Sequence, residues 1–175
     1  FPSATQAIIY EHHEMVDGSG YPRKLKGDAI NLLARIVAIA NYYDELCNPP
    51  NVLQALTPHE ALATMFARLK SKFDPRLLQI FVRCLGVYPP GTIVQLSNGA
   101  LGVVTSVSSA HLLKPTVMVY DAAVASGDTI LVDLDQESEV TITKTIRPQQ
   151  LPPEVGQFFN ARNRVSYYFS SAAEP

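Results

Sequence analysis

The chain has 175 residues, of which 47% are hydrophobic and 17% are charged, and its formal net charge is -2. This composition predicts one ordinary hydrophobic core or two small ones. The weak net charge excludes a general attraction for nucleic acid or anionic membranes, so an anionic ligand would need a local site. No apolar run approaches the ~20 residues of a membrane span and no signal-peptide pattern is present, which predicts a cytoplasmic protein. Because the sequence opens with Phe1 rather than Met, we expect a fragment or a processed form.

The first half of the sequence predicts four helices. The first covers residues 4–15 and the second covers residues 28–47, whereas the third and fourth begin at Thr57-Pro58 and Asp74-Pro75, where proline suits the first helical position. An apolar stripe predicts the buried face of the second helix. Its members are Ile30, Leu33, Ile36, Val37, Ala40 and Tyr43.

The pattern changes at Tyr88-Pro89-Pro90-Gly91, where helical periodicity gives way to β-branched residues with a period of two. Asn98-Gly99 suits a tight hairpin turn between two strands. Five short strands are predicted in all, which favours a small antiparallel β-barrel or sandwich. The strand candidates are 92–96, 100–107, 115–121, 129–134 and 140–146.

These patterns predict an α+β chain with three parts. Residues 1–88 form a helical domain, residues 89–148 form a small all-β domain, and residues 149–175 form a C-terminal tail. The tail carries aromatic residues without a clear period, so it either packs back on the helices or stays partly disordered. The β domain contains no chemical motif, and no ligand is assigned to it.

The stretch His12-His13-Glu14, followed by Asp17-Gly18-Ser19-Gly20-Tyr21-Pro22, carries the chemistry. Imidazole is a common ligand of iron, manganese and zinc. Two adjacent histidines on a helix point about 100° apart, so they can serve two neighbouring metals. The alternative is a solvated histidine pair that complements the dipole at a helix end.

The whole run HHEMVDGSGYP resembles the signature of the HD-GYP family, in which HHE is followed after about two residues by DGxGYP. The resemblance extends over roughly residues 1–86. Further segments that are similar to the family are Leu25-Lys26-Gly27, Ile30, residues 34–40, Tyr43-Asp44 and Glu60-Ala61-Leu62.

The resemblance implies an HD-superfamily helical bundle that holds two or three ions of iron or manganese and hydrolyses cyclic di-GMP. It makes His12 and His13 metal ligands. Gly20 and Tyr21 would line the pocket for guanine or phosphate, and the Tyr21 ring suits stacking on a base. Glu14 and Asp17 would brace the loop or orient the ligands; simple turn chemistry explains these two residues equally well. No catalytic side chain is assigned.

The sequence departs from the family in three places. The family's upstream His-Asp dyad and a further upstream histidine do not occur in this chain. Asn41 stands where the family has an aspartate ligand, and asparagine lacks the negative charge that helps to hold a divalent metal. Residues 47–53 contain no arginine or lysine, although the family places an arginine and a lysine there to bind phosphates.

Three functions follow from these observations. The first is a metal-dependent phosphodiesterase for cyclic di-GMP or a related phosphoester, which the isolated chain would not catalyse. The second is an inactive regulatory or interaction module whose partner is a signalling protein such as a diguanylate cyclase. The third is a sensor that binds a cyclic dinucleotide without cleaving it, which the missing phosphate ligands disfavour. Neither nucleic acid nor a membrane is expected as a partner.

Overall fold

The computed structural model describes residues 3–108, 110–123 and 130–159. The chain divides into two compact units. We call the first, Phe1–Leu56 with Glu60–Cys84, the helical unit. We call the second, Thr57–His59 with Leu85–Pro175, the β unit.

The four predicted helices are present. They are α1 (Ser3–Glu11), α2 (Leu32–Cys47), α3 (Pro58–Arg68) and α4 (Pro75–Leu85). Short 3-10 turns at Gly27–Ala29, Val52–Gln54 and Lys70–Lys72 lie between them. None of the helices within the described ranges is both long and apolar enough to cross a membrane.

Two helices are shorter than predicted at the ends that adjoin the motif. Helix α1 ends at Glu11 instead of continuing to residue 15. Helix α2 begins at Leu32, because the Asn31 side chain caps it by accepting a hydrogen bond from the Leu33 amide at 2.9 Å. Before this cap, Gly27 adopts a left-handed φ of 51°, which interrupts the helical path.

The predicted buried face of α2 is wrong in part. Tyr43 is buried, but Leu33, Ile36 and Val37 are exposed. The helix instead turns small residues and Ile39 inward, and Tyr43 meets the Phe81 ring of α4 edge-on with centroids 5.4 Å apart. The buried hydrophobic residues that α2, α3 and α4 contribute to the helical unit are Ala34, Ala38, Ile39, Tyr43 and Cys47 of α2, Ala61, Leu62 and Met65 of α3, and Leu78 of α4.

The β unit contains the five predicted strands in one antiparallel sheet. The strands are β1 (Ile93–Leu96), β2 (Leu101–Ser106), β3 (Thr116–Val119), β4 (Ile130–Asp133) and β5 (Ile142–Ile146), in the order β4-β3-β2-β1-β5. The sheet is open, since β4 and β5 lie at opposite edges and do not pair with each other over the described residues. Of the predicted barrel or sandwich, the antiparallel strands are confirmed, whereas closure into a barrel is not supported.

The hairpin between β1 and β2 forms at the predicted Asn98-Gly99 pair. Gly99 takes a φ of 88°, and its amide donates to the Leu96 carbonyl at 2.9 Å. Only the glycine needs the left-handed conformation, because the turn is a three-residue loop. Side chains on one face of the sheet form the core of the unit, which contains Val94, Leu96, Val104, Val117, Val119 and Leu134.

The first part of the predicted tail is ordered into a 3-10 turn (Pro148–Gln150) and the short helix α5 (Pro153–Phe158). The rings of Phe158 and Phe159 lie edge-on to Tyr120, with centroids 5.2 Å and 6.5 Å from it. These two aromatic residues therefore pack within the β unit. The rest of the tail, residues 160–175, lies outside the described residues.

Candidate metal centre

The histidine pair lies in a tight turn directly after α1. The Glu14 amide donates to the Glu11 carbonyl at 2.8 Å, so the chain turns away from the helix axis at this point. Because His12 and His13 follow the helix rather than lying within it, the helical spacing that predicts diverging rings does not apply to them. Their ring centroids are 4.1 Å apart with an interplanar angle of 40°. The two imidazoles thus form one local group.

A single hydrogen bond sets the tautomer of His12. Its Nδ1 lies 2.9 Å from the Ile9 carbonyl oxygen, which can only accept a hydrogen bond. In the neutral ring Nδ1 therefore carries the proton, and Nε2 carries the lone pair. A metal ligand requires this unprotonated nitrogen, and a partner on the other ring nitrogen commonly fixes its orientation.

Tyr21 stacks on the second imidazole. The rings of His13 and Tyr21 are 4.6 Å apart with an interplanar angle of 20°, and the Tyr21 amide donates to the His13 carbonyl at 3.2 Å. The backbone and side chain of Tyr21 are thereby both fixed against the histidine turn. Even so, 58% of Tyr21 remains exposed. The tyrosine thus presents an aromatic surface beside the two imidazoles.

Glu14 is buried and joins the turn to the loop that follows the motif. Its Oε1 accepts from the Arg23 amide at 2.6 Å, and its Oε2 accepts from the Leu25 amide at 2.9 Å. Both carboxylate oxygens are engaged by backbone donors. The side chain therefore braces residues 23–25 against the histidine pair.

Glu11 makes a second connection, which the sequence did not predict. Its carboxylate pairs with the Arg23 guanidinium, and its Oε2 accepts from the Asn31 amide at 2.7 Å. A signal was present in the sequence, since a glutamate lies on each side of the histidine pair in Glu11-His12-His13-Glu14. No local sequence pattern indicated that both carboxylates are buried.

Asp17 lies in the turn between the histidines and Tyr21. Its Oδ1 accepts from the Ser19 amide at 2.9 Å, and Lys72 Nζ donates to Ser19 Oγ at 2.9 Å. Hydrogen bonding by the Ser19 side chain is the main cause that holds the pKa of the Asp17 carboxyl below its ordinary value. The backbone of Ser19 and the charge of Lys72 act in the same direction, and partial burial opposes them.

Gly20 is buried under the histidine turn. A Cβ at this position would overlap the His13 carbonyl oxygen, the Met15 amide nitrogen and the Glu14 Cα. The backbone on both sides of this contact is held by hydrogen bonds and cannot yield easily. Close packing of two backbone segments therefore explains the need for glycine here.

Replacing Gly20 with alanine is expected to lower the free energy of unfolding by about 1–3 kcal/mol, because the new methyl group meets rigid backbone. Chemical denaturation measures this loss. Gly156→Ala is the control, since a Cβ there meets no atom within 4 Å. Equal stability of Gly20→Ala and wild type would contradict the packing at this turn.

Asn41, the position of the family's aspartate, is half-buried on α2. Its Nδ2 donates to Glu45 Oε1 at 2.8 Å, so the amide is engaged along its own helix. Two imidazoles suit a divalent metal as part of a ligand set. Within the residues that the structure describes, no group of three or more His, Cys, Asp or Glu side chains could hold a metal ion. The described residues therefore bring two imidazoles together but do not complete a ligand set.

Comparisons with known proteins match two parts of the chain to family models. Residues 1–77 match the family model described as HD domain. Residues 93–153 match the model described as KOW domain associated with HD domain. The change from helices to strands lies between these two matches, within residues 78–92.

The curated relatives are phosphodiesterases by name. The chain is 37% identical to a cyclic di-GMP phosphodiesterase of Pseudomonas aeruginosa over 116 residues, which are 66% of this chain and 28% of the relative. It is 45% identical to a cyclic di-GMP phosphodiesterase response regulator of Xanthomonas campestris over 76 residues, 43% of this chain and 20% of the relative. It is 36% identical to a 3'3'-cGAMP-specific phosphodiesterase of Vibrio cholerae over 78 residues, 45% of this chain and 17% of the relative.

The chain thus spans only about a quarter, or less, of the length of these relatives. The first match includes α1, α2 and α3 and the turn that carries both histidines. Together with the HHE and DGSGYP segments, the match identifies the helical part of the molecule. Residues 1–77 of this chain are an HD domain of the HD-GYP type, and the segment that follows it matches the KOW model over residues 93–153.

Proposed function

We propose that the intact protein is a metal-dependent phosphodiesterase that hydrolyses cyclic di-GMP or a closely related cyclic dinucleotide. The observation that carries this proposal is the pair of adjacent imidazoles, in which the Ile9 carbonyl places the proton of the neutral His12 ring on Nδ1 and so leaves the Nε2 lone pair for a metal. The names of the relatives support the substrate class. Because some of them are named for cyclic di-GMP and others for 3'3'-cGAMP, both dinucleotides are candidate substrates.

In this proposal His12 and His13 hold iron or manganese together with ligands from outside this chain. A bound metal pair would lower the pKa of water and stabilise the charge of the phosphate. Tyr21 would stack its exposed ring on a guanine or contact a phosphate. Gly20 would let the loop approach the ligand, while Glu14 and Asp17 would hold the loop in shape. The protein would act in the cytoplasm.

A second candidate is an inactive regulatory module that binds a signalling protein such as a diguanylate cyclase. Asn41 favours it, because a neutral amide replaces a charged ligand and is hydrogen-bonded to Glu45. The lack of any lysine or arginine between Val37 and Phe66 also favours it, since phosphates are commonly gripped by such residues. Here the metal site would be weak and turnover absent.

Asn41→Asp separates the two candidates. An added carboxylate is expected to raise the Mn²⁺ affinity of the intact protein by on the order of tenfold, about 1.4 kcal/mol. Isothermal titration measures the affinity, and chromatography of the products measures hydrolysis of cyclic di-GMP and 3'3'-cGAMP. Asn48→Asp is a matched control, because Asn48, which directly follows α2, likewise donates to an acidic residue four positions away.

Hydrolysis by the wild-type protein supports the enzyme. Metal binding without hydrolysis in wild type, with hydrolysis gained in Asn41→Asp, supports the inactive module. If neither protein binds metal and neither hydrolyses a dinucleotide, the assignment of His12 and His13 as metal ligands is contradicted.

A further inference from the structure

Two buried carboxylates enclose the histidine pair in sequence. Glu11 immediately precedes His12 and is 7% exposed, whereas Glu14 immediately follows His13 and is 1% exposed. Buried carboxylates are unfavourable unless hydrogen bonds or opposite charges compensate for the lost water. The hydrogen-bond partners of these two carboxylates therefore show which segments of the chain they hold together.

Both carboxylates bind Arg23, but they bind different parts of it. Glu14 Oε1 accepts from the Arg23 amide at 2.6 Å, whereas Glu11 Oε1 accepts from the Arg23 guanidinium. Arg23 is thus held at its backbone by one glutamate and at its side chain by the other. The histidine pair lies on the short segment between these two anchors.

Glu11 also reaches the start of α2. Its Oε2 accepts at 2.7 Å from the amide of Asn31, the residue whose side chain caps that helix. One side chain thereby links three segments: the end of α1, the loop at Arg23 and the first turn of α2. Helix α2 carries the Asn41 position, so this link relates the histidine turn to that helix.

We propose that Glu11 is a positioning residue for the histidine pair, acting on the metal-binding geometry without contacting the metal or the substrate. This inference depends on the proposed function. Both Glu11 oxygens accept hydrogen bonds from protein donors, which directs the carboxylate away from a ligand role. Its effect passes through the backbone, because it fixes the residue that directly precedes His12.

The test compares Glu11→Ala and Glu11→Gln with wild type in the intact protein. Loss of partners that orient metal ligands commonly weakens metal binding by about 10–100-fold, and we expect Glu11→Ala to weaken Mn²⁺ binding by that factor. Glu11→Gln keeps one acceptor oxygen and the side-chain shape, so it should restore part of the affinity. The visible spectrum of the Co²⁺-loaded protein should shift in Glu11→Ala, since the ligand geometry changes.

Asp28→Asn is the matched control. Asp28 also pairs with an arginine of the helical unit, at 3.0 Å from Arg35 Nη1, but its side chain is 98% exposed. This variant should leave both the Mn²⁺ affinity and the Co²⁺ spectrum unchanged. Thermal melting establishes that each variant is folded, and Glu11→Gln decides the question if Glu11→Ala does not fold.

Unchanged Mn²⁺ affinity and an unchanged Co²⁺ spectrum in the folded Glu11 variants would overturn the positioning role. The positioning role would also be overturned if Asp28→Asn weakened Mn²⁺ binding as much as Glu11→Ala does. Absence of metal binding in wild type would instead overturn the proposed function, and the positioning role with it. The two failures are therefore distinguishable by the behaviour of wild type.

Discussion

Replacing His12 with alanine in the intact protein is expected to weaken Mn²⁺ binding by more than about 100-fold, beyond the usual effect of losing an orienting partner. The reason is the tautomer: the Ile9 carbonyl fixes the proton on Nδ1, so Nε2 is available as a metal ligand. Alanine removes this nitrogen and leaves His13 as a single imidazole. If the proposed function holds, hydrolysis of the cyclic dinucleotide should fall in parallel, because a bound metal would supply the hydroxide.

His111→Ala is the control for this experiment. His111 is an exposed histidine of the β unit whose Nδ1 lies 2.8 Å from Asp135 Oδ2. Its removal changes the histidine count in the same way but leaves the turn after α1 untouched. Metal titration and thermal melting of the two variants separate loss of ligand from loss of fold. Full Mn²⁺ affinity in a folded His12→Ala variant would contradict the ligand assignment.

Replacing Ile39 with alanine is expected to lower the free energy of unfolding of the 175-residue chain by about 2–5 kcal/mol. Ile39 is 2% exposed, so truncation removes buried methyl groups and leaves a cavity. Ile36→Ala makes the same chemical change three residues earlier on α2. Because Ile36 is 44% exposed, its truncation should lower the free energy of unfolding by less than about 1 kcal/mol.

Urea denaturation followed by circular dichroism measures both values. The pair is informative because helix propensity changes equally in the two variants, so the difference reports burial alone. Equal losses at the two positions would show that the inward face of α2 is not the one described. A larger loss at Ile36 would instead favour the apolar stripe that the sequence predicts.

This stripe shows why sequence alone misjudged α2. The helix carries apolar residues on almost every side, since Ile36, Val37, Ala38 and Ile39 follow one another. A period of 3.6 residues then fits more than one face equally well. The choice depends on which neighbours pack closely, and α4 supplies Phe81 against Tyr43. Small side chains such as Ala34 are buried on the inward face, whereas Ile36 and Val37 are exposed.

The β unit illustrates the same limit. Alternation and the Asn98-Gly99 turn are local signals, and they predicted the five strands and the hairpin. Closure into a barrel is a property of pairing between strands that are distant in sequence. Strands β4 and β5 lie at opposite edges of the sheet, so the alternating pattern fits an open sheet as well as a barrel.

The sequence by itself determined the family, because HHE and DGSGYP are two uncommon motifs that occur here two residues apart, as they do in the HD-GYP signature. It also determined the order of helices and strands, since caps, turns and periodicity act over only a few residues. Only the tertiary structure decided how the histidines lie, with rings 4.1 Å apart in a turn beyond α1. The tertiary structure also revealed the hydrogen bonds of Glu11. Their partners, Arg23 and Asn31, lie 12 and 20 positions further along the chain, and no local sequence pattern encodes contacts over such separations.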